Sequence, residues 1–356
     1  AYRQCLAAHK LAADWDTTPL MFSKENFSNG CIATVDVIYP AAPLFLLLNR
    51  ELLYAQLRPV LDYARSPRWP NPFAPHDLGT YPHANGQVYG GGERSADDQM
   101  PVEETANMLL LLSAAAQLDG SNAFAQPYWP LLVKWAEYLV DHGLDPANQL
   151  CTDDFAGHLA HNANLSLKAI LALAAFGDMC RRDGAGDDAE RYRRLAGDFA
   201  ARWQKLADDG AHYRLAFDRA DTWSQKYNLV WDRVLKLGVF PPDVARREMR
   251  SYLSRQNRYG LPLDNRAAYA KLDWTVWTAT LAESRTDFEA LVNPLYDFAN
   301  ETQDRVPLSD WYSTTDARKI GFQARSVVGG VFMPMLADET ARARWSARAA
   351  ATQPRP

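Results

Sequence analysis

The sequence predicts an all-α protein, a closed (α/α)6 toroid in which six inner helices are wrapped by six outer ones. Three observations carry this reading. Helical periodicity recurs along the whole chain, whereas alternating, strand-like runs are few. Apolar helices alternate with amphipathic ones that carry a charged face, as in Ala185–Leu206 (AGDDAERYRRLAGDFAARWQKL), the pattern of an inner ring behind an outer ring. No motif repeats at a fixed period of roughly 34 to 45 residues, which argues against an open α-solenoid.

Helices are expected at 1–13, 31–48, 50–65, 102–119, 122–142, 159–182, 186–207, 224–237, 242–256, 271–283, 286–301, 326–336 and 338–350. Pro101 suits a first-turn position, where its missing N–H costs nothing, and Glu103 and Glu104 follow near the positive helix end. Pro241 and Pro242 open the 242–256 helix in the same way. Gly120, Gly143 and Gly184 fall where helices should stop. The helices near 31, 102, 159, 224, 271 and 326 are rich in Ala, Leu, Val or Trp and form the inner set. Residues 1–356 are read as one helical domain, although the length alone would also allow two.

Composition narrows the function. The chain has 43 acids against 38 Lys and Arg, a net charge of −5, which disfavours a nucleic-acid partner. The apolar stretches Ala41–Leu48 and Met108–Leu118 fall short of the roughly 18 residues of a membrane span. No signal peptide is seen in the sequence. Eleven Trp and 16 Tyr suit a lined cleft, or tightly packed helices. Cys5, Cys31, Cys151 and Cys180 show no CxxC spacing, so buried thiols and two disulfides both stay open.

The loops leading into the inner helices are long and hold the unusual residues, and in a toroid they would share one face. Asp153 and Asp154 are adjacent, so their side chains point to different sides. One is expected to face a cleft as a catalytic acid, the other to cap a helix or bind loop amides. His158 and His161 stand three apart and would share a helical face. With Asp154 they would suit a metal, but neither HExxH nor CxxC is present. An acid/base role for His158 and a lining role for His161 are preferred, and no metal or other cofactor is expected.

Glu103 and Glu104 are first-turn acids, one of which would point into the mouth of the toroid as a catalytic carboxylate. Asn107, four residues after Glu103, shares its face and would orient a substrate amide or hydroxyl. His76 and Asp77 form a neighbouring acid/base pair, although adjacency in sequence seldom gives the right geometry. Tyr81 and Tyr89 would serve as hydrogen-bonding walls. The Gly90–Gly92 run lacks the strand–GxGxxG–helix context, so nucleotide binding is rejected.

Further along, Trp223, Lys226, Tyr227, Asn228 and Asp232 form a polar–aromatic cluster, with Lys226 either a poised cation or the partner of a carboxylate. Asp264, Asn265, Arg266, Asp273 and Trp274 form another, and Asp310 and Trp311 complete the set. A Trp beside an Asp suits sugar stacking with hydroxyl bonding, and equally suits rim packing. Glu25 and Asn26 precede the first inner helix. Asp36 lies within it and is read as mainly structural, because a buried Asp must be paired.

Several stretches together resemble one family. KENFSNG, IATVDVIYP, APHDLGTYP, GGERS, DQMPVEE, LCTDDFAGHLAHN, WSQKYNLVWDR, YGLPLDNR, KLDW and SDWY look like the glutaminase A family over residues 1 to about 336. The resemblance implies a six-hairpin, glycosidase-like helical domain, a β-sandwich domain of the same precursor before it, and export, hence a secreted or periplasmic location. It also implies hydrolysis of L-glutamine to L-glutamate and ammonia.

Two enzymatic readings and one binding reading follow. An amidohydrolase needs a clamp for the amino-acid end, for which Arg266, Arg325 or Lys226 with an Asp are candidates. It also needs a water activated by a carboxylate, since no GxSxG elbow is present; Ser28, Thr80 and Ser224 remain possible nucleophiles. A glycoside hydrolase would place two carboxylates across the bond, here one of Asp153/Asp154 with one of Glu103/Glu104. A non-catalytic module would leave the loop acids individually dispensable. The partner in the first two cases is a small molecule, an amino acid or a sugar.

Overall fold

Helical hairpins succeed one another along the computed structural model, which describes residues 1–151, 157–304 and 307–352. After α1 (Tyr2–Ala7) come the pairs α2/α3 (Val35–Leu48, Arg50–Ala64), α4/α5 (Pro101–Asp119, Trp129–His142), α6/α7 (Ala163–Arg182, Gly186–Leu206), α8/α9 (Val230–Leu235, Pro242–Leu253), α10/α11 (Leu272–Ala279, Arg285–Glu301) and α12/α13 (Met333–Ala337, Glu339–Thr352). Short 3-10 turns at Tyr227–Leu229 and Ser326–Phe332 extend α8 and α12 at their N-terminal ends.

The inner members close on themselves. α2 packs on α4, α4 on α6, and α6 on the Tyr227–Leu229 turn. That turn packs on α10, α10 on the Ser326–Phe332 turn, and this last segment returns to α2. The expected all-α toroid is therefore the fold, and the alternation of apolar and amphipathic helices is its cause. α6 is buried along nearly its whole length, whereas α7 buries only the stripe Ala189, Tyr192, Ala196, Phe199, Ala200 and Trp203.

Local chemistry sets the ends. α4 begins with Pro101 and stops at Gly120, which takes the left-handed conformation at φ +67°. The Asn162 side chain accepts the amides of Asn164 and Leu165 at the start of α6, and Asn49 accepts that of Leu52 at the start of α3. Pro40 and Pro43 lie inside α2 and withhold the helical hydrogen bonds that the carbonyls of Asp36 and Tyr39 would receive.

Several expectations need correcting, among them the start of the 122–142 helix, which lies at Trp129. Residues 9–13 leave the first helix and form β1 (His9–Ala13), antiparallel to β2 (Pro19–Ser23). The first inner helix starts at Val35 rather than at 31, because 31 and 32 bridge to Thr80 and Lys24. The third starts at Ala163 rather than at 159, so His158 and His161 lie in a loop and share no helical face. A second small sheet pairs β3 (Tyr269–Lys271) with β4 (Trp311–Ser313), setting Lys271 opposite Trp311. The four cysteines are buried and form no disulfide, so they are thiols.

The middle of the ring is filled by aromatic rings. Tyr227 stacks on Trp274 at 4.2 Å, Trp274 meets Trp277 edge-on at 4.8 Å, and Tyr39 meets Trp277 at 5.2 Å. The two ends of the ring differ. At the C-terminal ends of the inner helices a cavity of about 250 Å³ is lined largely by aliphatic groups such as Leu46, Leu118, Val234 and Leu336. At the N-terminal ends buried ionisable side chains, among them Glu103, Glu104, His76 and Asp77, gather instead.

Candidate active site

Glu103 and Glu104 enter the mouth together because the first turn of α4 is itself buried. Lys168, from the second turn of α6, donates to Glu103 Oε1 at 2.5 Å and to Asn107 Oδ1 at 2.8 Å. Asn107 donates in turn to both glutamates, at 3.2 and 3.1 Å. The Lys168 ammonium also lies 4.4 Å from the centre of the Tyr39 ring. Glu104 keeps one oxygen, Oε1, with no hydrogen-bond partner. Burial, then the charges of Asp36 and Glu103, push its carboxyl well above the ordinary carboxylate range.

His76 and Asp77 join this group from the loop between α3 and α4. Asp77 is fixed by the amides of Gly79, Val88 and Tyr89 at 2.7 to 3.1 Å, and it accepts the His76 Nδ1 hydrogen at 3.0 Å. The imidazole stacks on Tyr89 at 4.0 Å, and its Nε2 faces Asp36 Oδ1 at 3.9 Å. Burial presses the His76 imidazolium down, but Asp77, Asp36 and Glu25 outweigh it and raise the group to about 9. The neighbouring pair thus acquires the geometry that adjacency alone would not guarantee. It does so because the loop amides hold the Asp carboxylate in place.

Asp36, read from the sequence as mainly structural, lies between His76, Glu104 and Glu25 at the centre of the cluster. Its Oδ1 has no hydrogen-bond partner, and its side chain keeps 12% of its surface open while those of His76 and Glu104 are sealed. Glu25 lies on its other side, accepting from Ser28 and Thr34 at 2.8 and 3.2 Å. Burial and Asp36 raise the Glu25 carboxyl.

The far wall of the mouth comes from the second small sheet. Lys271 and Asp310 approach to 2.8 Å because β3 pairs with β4. Arg325 donates to Asp310 at 2.7 Å and reaches toward Glu25 at 3.9 Å. Lys271 also donates to Asp273 at 3.3 Å. Burial opposes the charge of Asp310, but Arg325 and Lys271 prevail and hold it below the usual carboxylate range. Asp273 is raised, by burial first and by Asp310.

Of the residues read from the sequence, the structure thus gathers Glu103, Glu104, Asn107, His76, Asp77, Asp273 and Asp310, together with Arg325. Others lie elsewhere. Trp274 is wholly buried in the aromatic centre, so it offers no face to a sugar. Lys226 is buried too and donates to Ser224 Oγ and to carbonyls of Ser224 and Tyr213, with Glu248 at 4.0 Å. Trp223 is anchored beside it by Asn265. Asp264 pairs with the adjacent Arg266 at 2.5 Å. Trp311 packs edge-on against Tyr269 and tilted against Phe322. Tyr81 is 51% exposed. His158 sits at the surface, 3.9 Å from Asp98, and His161 bonds Asp145 at 2.7 Å. Asp153 and Asp154 lie outside the described residues.

Sequence reasoning passed over Lys168, Lys271 and Tyr39. Lys168 left a signal: it is the lone charge in the apolar run ANLSLKAILALAAF, where a cation must have a partner.

A closed ring of six helical hairpins with ionisable groups collected at one mouth is the architecture of six-hairpin glycosidase-like proteins. The chain belongs to the glutaminase A family, whose six helical-hairpin domain matches residues 1–335. Glutaminase A of Aspergillus oryzae (strain ATCC 42149 / RIB 40) is 39% identical over 338 residues, a match covering 93% of this chain and 48% of that protein. The chain therefore spans about half the length of the curated relatives it matches. Among solved structures, a glycosidase variant superposes with a TM-score of 0.62 at 12% identity, covering 90% of this chain and 88% of that one. A bacterial glucoamylase in complex with acarbose superposes at 0.57 and 11% identity, covering 85% of this chain and 48% of the other.

Proposed function

We propose that this domain is a hydrolase in which Asp36 and Glu104 act on water at the mouth of the toroid, with the side-chain amide of L-glutamine as the bond cleaved. The observation that carries the reading is the pair of carboxylate oxygens, Asp36 Oδ1 and Glu104 Oε1, left without hydrogen-bond partners beside His76. A buried polar atom with no partner is costly unless a ligand or water supplies one. Asp36, the solvent-touched acid, serves as the base that takes a proton from water. Glu104, raised by its surroundings, holds a proton to give to the leaving nitrogen. The water oxygen adds to the amide carbon, the C–N bond breaks, and ammonia departs with that proton. Arg325 and Lys271 on the far wall supply positive charge for the substrate's carboxylate, and Asp273 lies beside them for its ammonium group. The name of the Aspergillus relative supports glutamine as the substrate.

The test is ammonia release from L-glutamine by the wild-type chain and by Asp36→Asn and Glu104→Gln. Loss of about 100-fold or more in kcat for each variant, with melting unchanged, is the expected result. Wild-type turnover in both would overturn the assignment. A glycosidase is the second reading, favoured by the named structural neighbours. Cleavage of aryl glycosides without ammonia release would put it first.

A further inference from the structure

The water-handling centre has a feature that acid/base chemistry leaves unexplained. A carboxylate oxygen of Asp36, a carboxylate oxygen of Glu104 and a ring nitrogen of His76 lie within 4.8 Å of one another, with His76 Nε2 at 3.9 Å from Asp36 Oδ1. They come from three separate segments: the first turn of α2, the first turn of α4 and the intervening loop. Asp36 Oδ1 and Glu104 Oε1 have no hydrogen-bond partner, and Glu104 is fully buried. Two carboxylates, each with an oxygen that has no hydrogen-bond partner, thus meet one imidazole in a single small cluster. The second ring nitrogen is already committed, since Nδ1–H donates to Asp77. That is the support a metal-bound histidine needs, because it fixes the ring and frees Nε2 to coordinate.

We propose that Asp36, Glu104 and His76 bind one divalent first-row transition-metal ion, Zn2+ or Mn2+. Metal–ligand bonds of about 2.1 Å allow donor atoms up to roughly 4.2 Å apart, and His76 Nε2 to Asp36 Oδ1 is 3.9 Å. An imidazole with two carboxylates suits such an ion better than Ca2+, which wants six or more oxygens. Three protein ligands leave coordination positions for water. The ion displaces the proton that His76 otherwise carries. Cys31 also falls close to His76 and Asp77, but both Asp77 oxygens are taken by backbone amides, which makes Asp77 the support of His76 rather than a ligand.

The site rests on the hydrolase reading but gives Glu104, deprotonated, to the ion in place of its proton-donor role, and the two are separable by experiment. Chelator-stripped protein is titrated calorimetrically with ZnCl2 and with MnCl2, and bound metal is counted after gel filtration. One ion per chain is expected. A fall in affinity of about 100-fold or more is expected in Glu104→Gln and His76→Ala, and about 10- to 100-fold in the positioning variant Asp77→Asn. Asp36→Asn, at the solvent-touched edge, gives the same loss with melting unchanged, so misfolding does not decide the outcome. Absence of stoichiometric binding, or equal binding in all the variants, would overturn the site. Binding without any amide or glycoside cleavage would keep the site and remove the hydrolase reading. Cleavage by metal-free protein that takes up no ion would do the reverse.

Discussion

Lys168 and Glu103 show how single residues fix this mouth. An ammonium and a carboxylate, both sealed from solvent, hold each other against their desolvation, with Asn107 bridging. Lys168→Met should cost about 3–5 kcal/mol in urea unfolding, because Glu103 loses its ammonium. The double variant Lys168→Met/Glu103→Gln should recover a good part of that, a coupling that a double-mutant cycle reads directly. His9 gives a pH prediction. Burial holds its imidazole down to about 4, against 6.5 in the free side chain, despite bonds to Cys5 O and Gln56. The unfolded chain then binds the extra proton, so this contribution is whole above pH 6.5 and fades as pH falls toward 4. Its full size is about 3 kcal/mol, and His9→Gln should flatten that part of the acid-stability curve. Such residues were only partly legible in the sequence. Glu103, Glu104 and Asn107 stood out because Pro101 announces a helix start. The surroundings of Asp36 gave no such signal, because the groups that face it, His76, Glu104 and Glu25, arrive from other segments.

At the scale of elements, helices with a strong pattern were readable and the short pieces were not. α7 and α9 each carry an apolar stripe against charge, and their expected positions agree with the structure to within a few residues. The segment His9–Ala13 reads HKLAA, a composition as fitting for a helix as for a strand. Only its pairing with Pro19–Ser23 decides, and that pairing is tertiary. Likewise, nothing local tells that Lys271 will sit opposite Trp311. Caps are testable at this scale. Asn162→Ala removes the acceptor of two amides at the start of α6 and should lower stability by about 1 kcal/mol, measured by the urea midpoint at constant slope. Because Asn162 also adjoins Cys151, the change should be felt in the loop before α6 as well.

For the whole molecule, the decisive event is closure of the ring. The last inner segment must slide between α2 and α10, and Gly330 lets it do so. A Cβ there would meet Asp273 Cβ and the Pro40 carbonyl at 2.9 Å. Gly330→Ala should therefore lower the thermal midpoint and also weaken catalysis, since it presses on the helix that carries Asp273. Unchanged melting would show that the seam has slack. The toroid itself was legible because alternation of apolar and amphipathic helices is a global pattern. Where its chemistry would gather was legible only as a set of loops, since a mouth is made by segments far apart in sequence.

The four buried thiols give that ring a built-in set of reporters. Cys5 lies under the closing seam against Gly329, Cys31 beneath the mouth, Cys151 ahead of α6, and Cys180 at its far end. A colourless-to-yellow disulfide reagent should find none of them in the native protein. As denaturant rises, the order in which they become labelled would trace which part of the circle gives way first.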